Sequence, residues 1–476
     1  MSLEDWLYPL LTVYQRMPRR VQYALGGAYA HLPQRWRLGA RYSEFSQIAA
    51  EGERWSDDAR HAYQMAQLRA VLLHASAECP FYRARFAEAD FNPEAVRDLA
   101  DLSACPHITK QDLLDHLPEM VSTRCPPSER LYMTTGGSTG VPVGFYLQKG
   151  VSRPKEQAFL ETMWRRAGYF DGARLAVIRG FVTSSAAGGR ISSYDATRDW
   201  LMLSSYHLTQ ERLPEYLDAL ERFRPDLLHA YPSAALQLAG YLENAGRTWT
   251  LPLRAVLCGS ERLTIPQKRL LERVFHCRVY RWYGHAERVV MAGEGTNSEL
   301  FYFFPQYGHV EFGPPDDQGL REVIGTSFHN FAMPLIRYRT GDFVRLADET
   351  HGPRELPYPA AVDVVGREQE FLVTATGRTV SMTAFNMHDE TFDDLYAVQF
   401  FQEEPGVAEL RYVPGPRFNG SRLATIDRRV RQKLGDDFHV SYRAVTEVEK
   451  TARGKHKWLV SRLQESTSSA GLPITD

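Results

Sequence analysis

Apolar residues recur at helical spacing from Asp57 to Phe86, with Tyr63, Ala66, Leu68, Val71 and Leu72 on one stripe. Pro80 in "CPFYRARF" marks the end of that stretch, because proline disfavours helical geometry in the residue before it. "SERLYM" then reads as a strand entering "TTGGSTGVP", and "FYLQ" resumes extended structure. Gln157–Ala167 is expected to be helical, followed by the short apolar strand "RLAVIRG". Leu208–Phe223 is an amphipathic helix, with Leu213, Tyr216, Leu217, Leu220 and Phe223 on one face.

The alternation continues. "DLLHAYPS" is a strand running into a loop, and Ser233–Asn244 is a helix with Leu236, Leu238, Ala239 and Leu242 for packing. "RAVLCGSE" is a buried strand, and Thr264 with Gln267 forms a capping box for a helix carrying Leu270, Leu271, Val274 and Phe275. "CRVYRWYGHAE" is again strand into loop. Strands alternating with helices predict a mostly parallel α/β layer structure, with ligands at the carboxyl ends of the strands. From His309 to Leu346 the pattern turns to strands, which predicts a β-rich subdomain. "HGPRELPYP" is a Pro-rich surface loop. The last ~110 residues, from about Gly366, suffice for a small α+β domain, and the tail "STSSAGLPITD" is expected to be disordered.

Composition narrows the function classes. A length of 476 residues fits several domains, or one large domain plus a smaller one. With 56 basic against 58 acidic residues, the chain lacks the basic excess of a general nucleic-acid binder. Cys79, Cys105, Cys125, Cys258 and Cys277 are odd in number and widely spaced, which argues against a disulfide framework or structural zinc and fits a reducing cytoplasm. No apolar run approaches the ~18–20 residues of a membrane span. At the N-terminus, acids precede the apolar part and basic residues follow it, the reverse of a secretory signal. Trp6–Tyr14 reads as a helix docked on its own domain, with an amphipathic membrane-surface segment as the alternative.

The loop at Thr134–Gly140 is rich in glycine and hydroxyls, which lets backbone amides approach an anion. It lacks the GK[ST] ending and following helix of a Walker loop, because Pro142 and an extended run follow. On the loop alone, phosphate contact and a surface turn both stand. Further on, "HAYPSAALQLAGYLE", "CGSERLTIPQKRLLERVFHCRVYRWYGHAE", "PLIRYRTGD", "VVGREQEF" and "KTARGKHKWLV" follow in order. This ordered set, over roughly residues 50–460, resembles the adenylate-forming enzymes, and within them the phenylacetate–CoA ligase family. The stretch "LSSYHLTQERLPEYLDALERFRPDLLHAYPSA" resembles its CapK-like and coenzyme F390 synthetase-like branch, often linked with capsular polysaccharide genes.

The resemblance implies a fold class and a site. The fold is α/β: a large multi-subdomain adenylation domain over 1–366, with mostly parallel sheets and a β-rich subdomain, and a small mobile α+β lid over 367–476. Thr135, Gly136, Gly137, Ser138, Thr139 and Gly140 would hold ATP phosphates, although Gly136 and Val143 depart from the hydroxyl and lysine common there. Tyr283 would lie against adenine beside Gly284, and Gly259, Ser260 and Glu261 would approach the nucleotide. Asp342 would accept the ribose hydroxyls, and Glu287 would hold Mg²⁺, an ion that takes few carboxylates alongside phosphates. Tyr231, Pro232, Ser233, Ala234 and His285 are the acyl-pocket candidates. Arg367 would reach ribose or phosphate at the domain boundary, where Gln369 replaces the usual pivot acid. Lys455 would come over the site from the small domain and stabilise charge on the α-phosphate.

The implied reaction joins a carboxylate to ATP, giving an acyl-adenylate and pyrophosphate, then passes the acyl group to a nucleophile. CoA thiol is the expected acceptor; an amine or hydroxyl in polysaccharide or natural-product biosynthesis is the alternative. A nucleotide-sugar glycosyltransferase and a non-catalytic scaffold are the rivals from other classes. ATP, Mg²⁺ and a small carboxylic acid are therefore the expected partners, with no nucleic acid.

Overall fold

The computed structural model describes residues 14, 17–30, 32–134, 143–180, 190–209, 211–316, 319–366, 371–381, 392, 395–414, 418–435, 437–446, 448–449 and 459–463. Among the described residues, α1 (Arg19–Ala30), a single helical turn at Gln34–Arg37 and α2 (Ala40–Gly52) lead to α3 (Asp57–Glu78). Ser56 caps α3 by accepting from the Ala59 amide, and Asp57 and Asp58 complement the helix dipole in its first turn. The helix stops at Cys79, which is extended as the residue before proline should be. Pro80 also has a second role. It opens α4 (Pro80–Glu88), because a proline at the first helical position loses no hydrogen bond.

After α5 (Lys110–Met120), β1 (Arg130–Thr134) and β2 (Gly144–Gln148) form an antiparallel hairpin that pairs Thr134 with Gly144. The loop 135–142 between them lies outside the described residues. Then come α6 (Ser152–Arg166), β3 (Leu175–Arg179), β4 (Ser192–Asp195), β5 (Trp200–Ser204), α7 (Leu213–Phe223), β6 (Leu227–Ala230), α8 (Pro232–Asn244), β7 (Ala255–Gly259), α9 (Ile265–Phe275) and β8 (Arg278–Gly284). Helix α7 starts at Leu213, with its apolar stripe, rather than at Leu208, since Ser205–His207 form a 3₁₀ turn and Pro214 sits in the first helical turn. The expected capping box of Thr264 and Gln267 is present at α9.

The chain continues as strands: β9 (Met291–Glu294), β10 (Phe301–Phe303), β11 (Gly308–Pro315), β12 (Arg321–Ser327), β13 (Tyr338–Leu346) and β14 (Ala360–Gly366). They join β3–β8 in a single 12-stranded sheet, ordered β11-β12-β13-β14-β10-β9-β8-β7-β6-β3-β5-β4. Strands β5, β3, β6, β7 and β8 are mutually parallel, whereas from β8 to β11 every pairing is antiparallel. The β-rich part is thus the antiparallel half of the same sheet, because β9 turns back onto β8 and carries the hydrogen-bond ladder onward.

Helices cover both faces of the parallel half. On one face Ala176, Ile178, Leu228, Val256 and Cys258 pack with Leu217, Leu220, Leu238 and Leu271 of α7, α8 and α9. On the other, Val177, Leu227 and Leu257 pack with Trp164 of α6. The four-stranded second sheet holds β17 (Leu395–Glu404), β18 (Val407–Pro414), β19 (His439–Ala444) and β20 (Leu459–Ser461), after the hairpin of β15 (Phe371–Val373) and β16 (Thr379–Ser381). Helix α10 (Gly420–Leu434) buries Ile426, Val430 and Leu434 against this sheet. Tyr206, which follows β5, is buried in the same cluster. Among the described residues, no helix is long and apolar enough to cross a membrane.

Candidate active site

The carboxyl ends of the parallel strands place Arg179, Tyr231, Gly259 and Trp282 side by side, since Ile178 pairs with Ala230, Ala230 with Cys258, and Gly259 with Trp282. Alternation along each strand puts all four on one face, with His229 one row below. A Cβ on Gly259 would lie 2.3 Å from Cε2 and Nε1 of Trp282, so only glycine admits the indole here. The Arg179 guanidinium stacks on Tyr231 (4.6 Å to the ring centroid), reaches toward Trp282 (5.8 Å), lies 2.7 Å from His229 Nε2, and donates to Ser260 Oγ. Burial, and then the neighbouring Arg179 charge, push His229 well below its ordinary pKa. Glu261 turns to the start of α8, where it accepts from the Ser233 amide (2.9 Å) and hydroxyl (3.1 Å). That is the favourable end of a helix for a carboxylate.

Beside this row, β8 carries Tyr283 and Gly284 into the loop holding His285 and Glu287. The Tyr283 hydroxyl donates to Asp342 Oδ2 (2.8 Å), and the Tyr338 hydroxyl donates to Glu287 Oε1 (2.9 Å). The Tyr283 and His285 ring centroids lie 5.9 Å apart, and His285 Nδ1 is 3.4 Å from Glu287 Oε2. One continuous cluster therefore joins both acids. Asp342 is presented by a bulge: Glu322 and Ile324 of β12 pair with Phe343 and Arg339, leaving Thr340–Asp342 opposite Val323. Gly341 takes φ 73° within it, a left-handed conformation that glycine adopts without strain. The Thr340 hydroxyl ties the bulge down by donating to Val323 O and accepting from the Asp342 amide.

Two ionic groups, one buried and one half-buried, hold the frame. Lys268 of α9 and Arg281 of β8 both meet Glu294 of β9, with both Lys268 and Glu294 fully buried. This fixes β8 just before Tyr283. Behind Glu287, Arg288 Nε is 3.7 Å from Glu156, which also accepts from the Tyr307 hydroxyl. The adjacent Lys155 donates to Phe328 O and sits 3.8 Å from the Tyr307 ring centroid.

Of the sequence-derived site residues, Tyr283, Gly284, His285, Glu287 and Asp342 come together in the cluster, with Tyr231 and Gly259 in the adjoining row and Ser260 directly after it. Pro232 and Ala234 are buried, and Ala234 packs into the core between α8 and the sheet, away from the row. Thr135–Gly140, Arg367, Gln369 and Lys455 lie outside the described residues, as do Trp6–Val13. Sequence reasoning passed over Arg179, His229, Trp282 and Tyr338. Arg179 carried one usable signal, as a charged residue closing an apolar parallel strand just before glycine. Tyr338 stood inside the quoted "RYRTGD" without a role.

No family model matches the chain. It is 22% identical to protein CapK of Staphylococcus aureus over 377 residues, covering 77% of this chain and 81% of that protein. It is 29% identical to phenylacetate-coenzyme A ligase of Pseudomonas putida over 334 residues, covering 67% of this chain and 73% of the other. The Escherichia coli K12 phenylacetate-coenzyme A ligase is 28% identical over 312 residues, 62% of this chain and 69% of that one. Among solved structures, 2-hydroxyisobutyryl-CoA ligase with 2-HIB-AMP and CoA in the thioesterification state matches with a TM-score of 0.55 at 17% identity, covering 86% of this chain and 91% of that one. This chain is a homologue of the phenylacetate-CoA ligases and CapK, on the fold of the adenylate-forming CoA ligases.

Proposed function

We propose that the protein adenylates a carboxylic acid with ATP, releasing pyrophosphate, and then transfers the acyl group to the thiol of CoA. The observation that carries this reading is the cluster joining Asp342 and Glu287 through Tyr283 and His285, at the carboxyl ends of the sheet. Curated relatives named phenylacetate-coenzyme A ligase support the thiol as acceptor. Asp342 receives the ribose hydroxyls, and the Tyr283 ring, anchored by its own hydrogen bond to Asp342, lies against adenine. Arg367 and the Thr135–Gly140 loop contact phosphate, with Gly259–Glu261 along the nucleotide. The work of this site is positioning and charge stabilisation for in-line attack of the carboxylate on the α-phosphorus.

Glu287 suits Mg²⁺. It is a buried oxygen donor steadied by Tyr338, and among the described residues no group of three His, Cys, Asp or Glu forms a cage. Magnesium bound through one carboxylate and substrate phosphates needs no more. It would supply charge neutralisation to the departing pyrophosphate.

Residues 1–366 form the adenylating domain and 367–476 the lid, which delivers Lys455. The test is ATP–pyrophosphate exchange over aryl, fatty and sugar-derived acids, followed by CoA consumption. Lys455→Ala is expected to lower exchange by about 10²–10³-fold, the range for one electrostatic donor, while ATP binding persists. Exchange at the native rate in that variant removes Lys455 from the reaction, and no exchange with any acid removes adenylation.

A further inference from the structure

We infer that Arg179 selects an acyl substrate with a second anionic group, a dicarboxylic or comparably charged acid, an inference that rests on the adenylation reading above. Arg179 closes β3 at the carboxyl end of the sheet, on the same face as Tyr231 and Trp282. Its hydrogen-bond partners are two neutral groups, His229 Nε2 and Ser260 Oγ. An arginine keeps its proton, so it must donate to Nε2, which fixes His229 as neutral with its proton on Nδ1. The guanidinium consequently has no counter-charge among the described residues.

Other buried arginines of this chain are built differently. Arg281 faces Glu294, Arg166 faces Glu53 and Arg337 faces Glu311. A half-buried cation against two aromatic rings is stabilised by their faces, yet with neutral hydrogen-bond partners its charge still attracts an anion. Ser260 holds its hydroxyl on the guanidinium from a left-handed backbone, φ 70°, which is an unfavourable conformation for serine. The arrangement presents a fixed fork whose remaining donors match a carboxylate or phosphate bidentately. Nearby Glu261 engages Ser233 at the start of α8.

The experiment compares matched acids, hexanoate with adipate and phenylacetate with 4-carboxyphenylacetate, in ATP–pyrophosphate exchange without CoA and in calorimetric binding. The native protein is expected to favour each diacid by about 10-fold or more. Arg179→Met should bring the ratio near one, and Arg179→Lys should keep part of it, since lysine retains the charge but not the fork. Omitting CoA excludes CoA phosphates as the anion. An equal loss for monoacids and diacids in Arg179→Met overturns the inference and places Arg179 on the reacting carboxylate. Equal preference for both in the native protein also overturns it, while leaving adenylation intact. Selective diacid binding that vanishes in Arg179→Met, without exchange, sustains the role of Arg179 and overturns adenylation instead.

Discussion

Lys155 offers a pH-dependent test of the frame behind the Glu287 loop. The residue is 3% exposed in the first turn of α6, donates 2.9 Å to Phe328 O and rests on the Tyr307 ring. Burial depresses its pKa from 10.5 to about 7, with the nearby Arg288 charge lowering it further and Glu156 opposing. Between those values the unfolded chain binds a proton that the folded chain has released, so stability rises with pH. For a folded pKa of about 7, linkage gives a gain of about 2 kcal/mol between pH 7 and pH 9. Lys155→Met cannot titrate and should lack this increment. Urea unfolding of both proteins at pH 7 and pH 9, with slopes unchanged, isolates it, because other groups contribute equally to each. Parallel pH dependences in the two proteins would refute the argument.

Glu294→Gln should lower stability by about 3–5 kcal/mol in the same assay, since it removes the buried carboxylate that Lys268 and Arg281 share and leaves Lys268 only Glu299. The double variant Lys268→Met with Glu294→Gln should recover part of that loss, and a deeper loss in the double variant would disprove the pairing. Gly259→Ala should cost about 1–3 kcal/mol by overpacking against Trp282, and should shift exchange toward smaller acids as the indole moves. An unchanged acid profile and midpoint would show that the indole yields without consequence.

Much of the layered fold was legible because its signals are local. The stripe on α7, the capping box of α9 and the apolar strands β3, β6 and β7 all follow from short-range spacing, and each stands where its pattern puts it. Pro80 marks the break at Cys79 as its chemistry implies, and what it does not announce is that the same proline opens α4, which buries Phe81, Tyr82 and Phe86. The antiparallel half was legible as β-rich, but strand periodicity says nothing about which edge its ladder joins. Tyr283, Glu287 and Asp342 were legible as motif residues, but their coupling through Tyr338 and His285 spans 51 positions between Tyr338 and Glu287 alone. Such contacts leave no trace in local pattern, and the exchange of one tyrosine for another hydrogen-bonding residue would hardly alter the text.

Tyr206 belongs by sequence to the large sheet and by packing to the small one. Its ring lies among Val398, Phe400 and Leu434, with Lys433 Nζ 5.8 Å from its centroid, while the Gly180 Cβ position is only 2.6 Å from its hydroxyl and 3.3 Å from that of Tyr231. Pulling the small sheet away therefore wets a large aromatic surface, at about 1.5–3 kcal/mol for a ring of that size. The tyrosine thus ties the two sheets together: whatever separates them must expose its ring, and its hydroxyl lies close to Gly180, beside the hydroxyl of Tyr231.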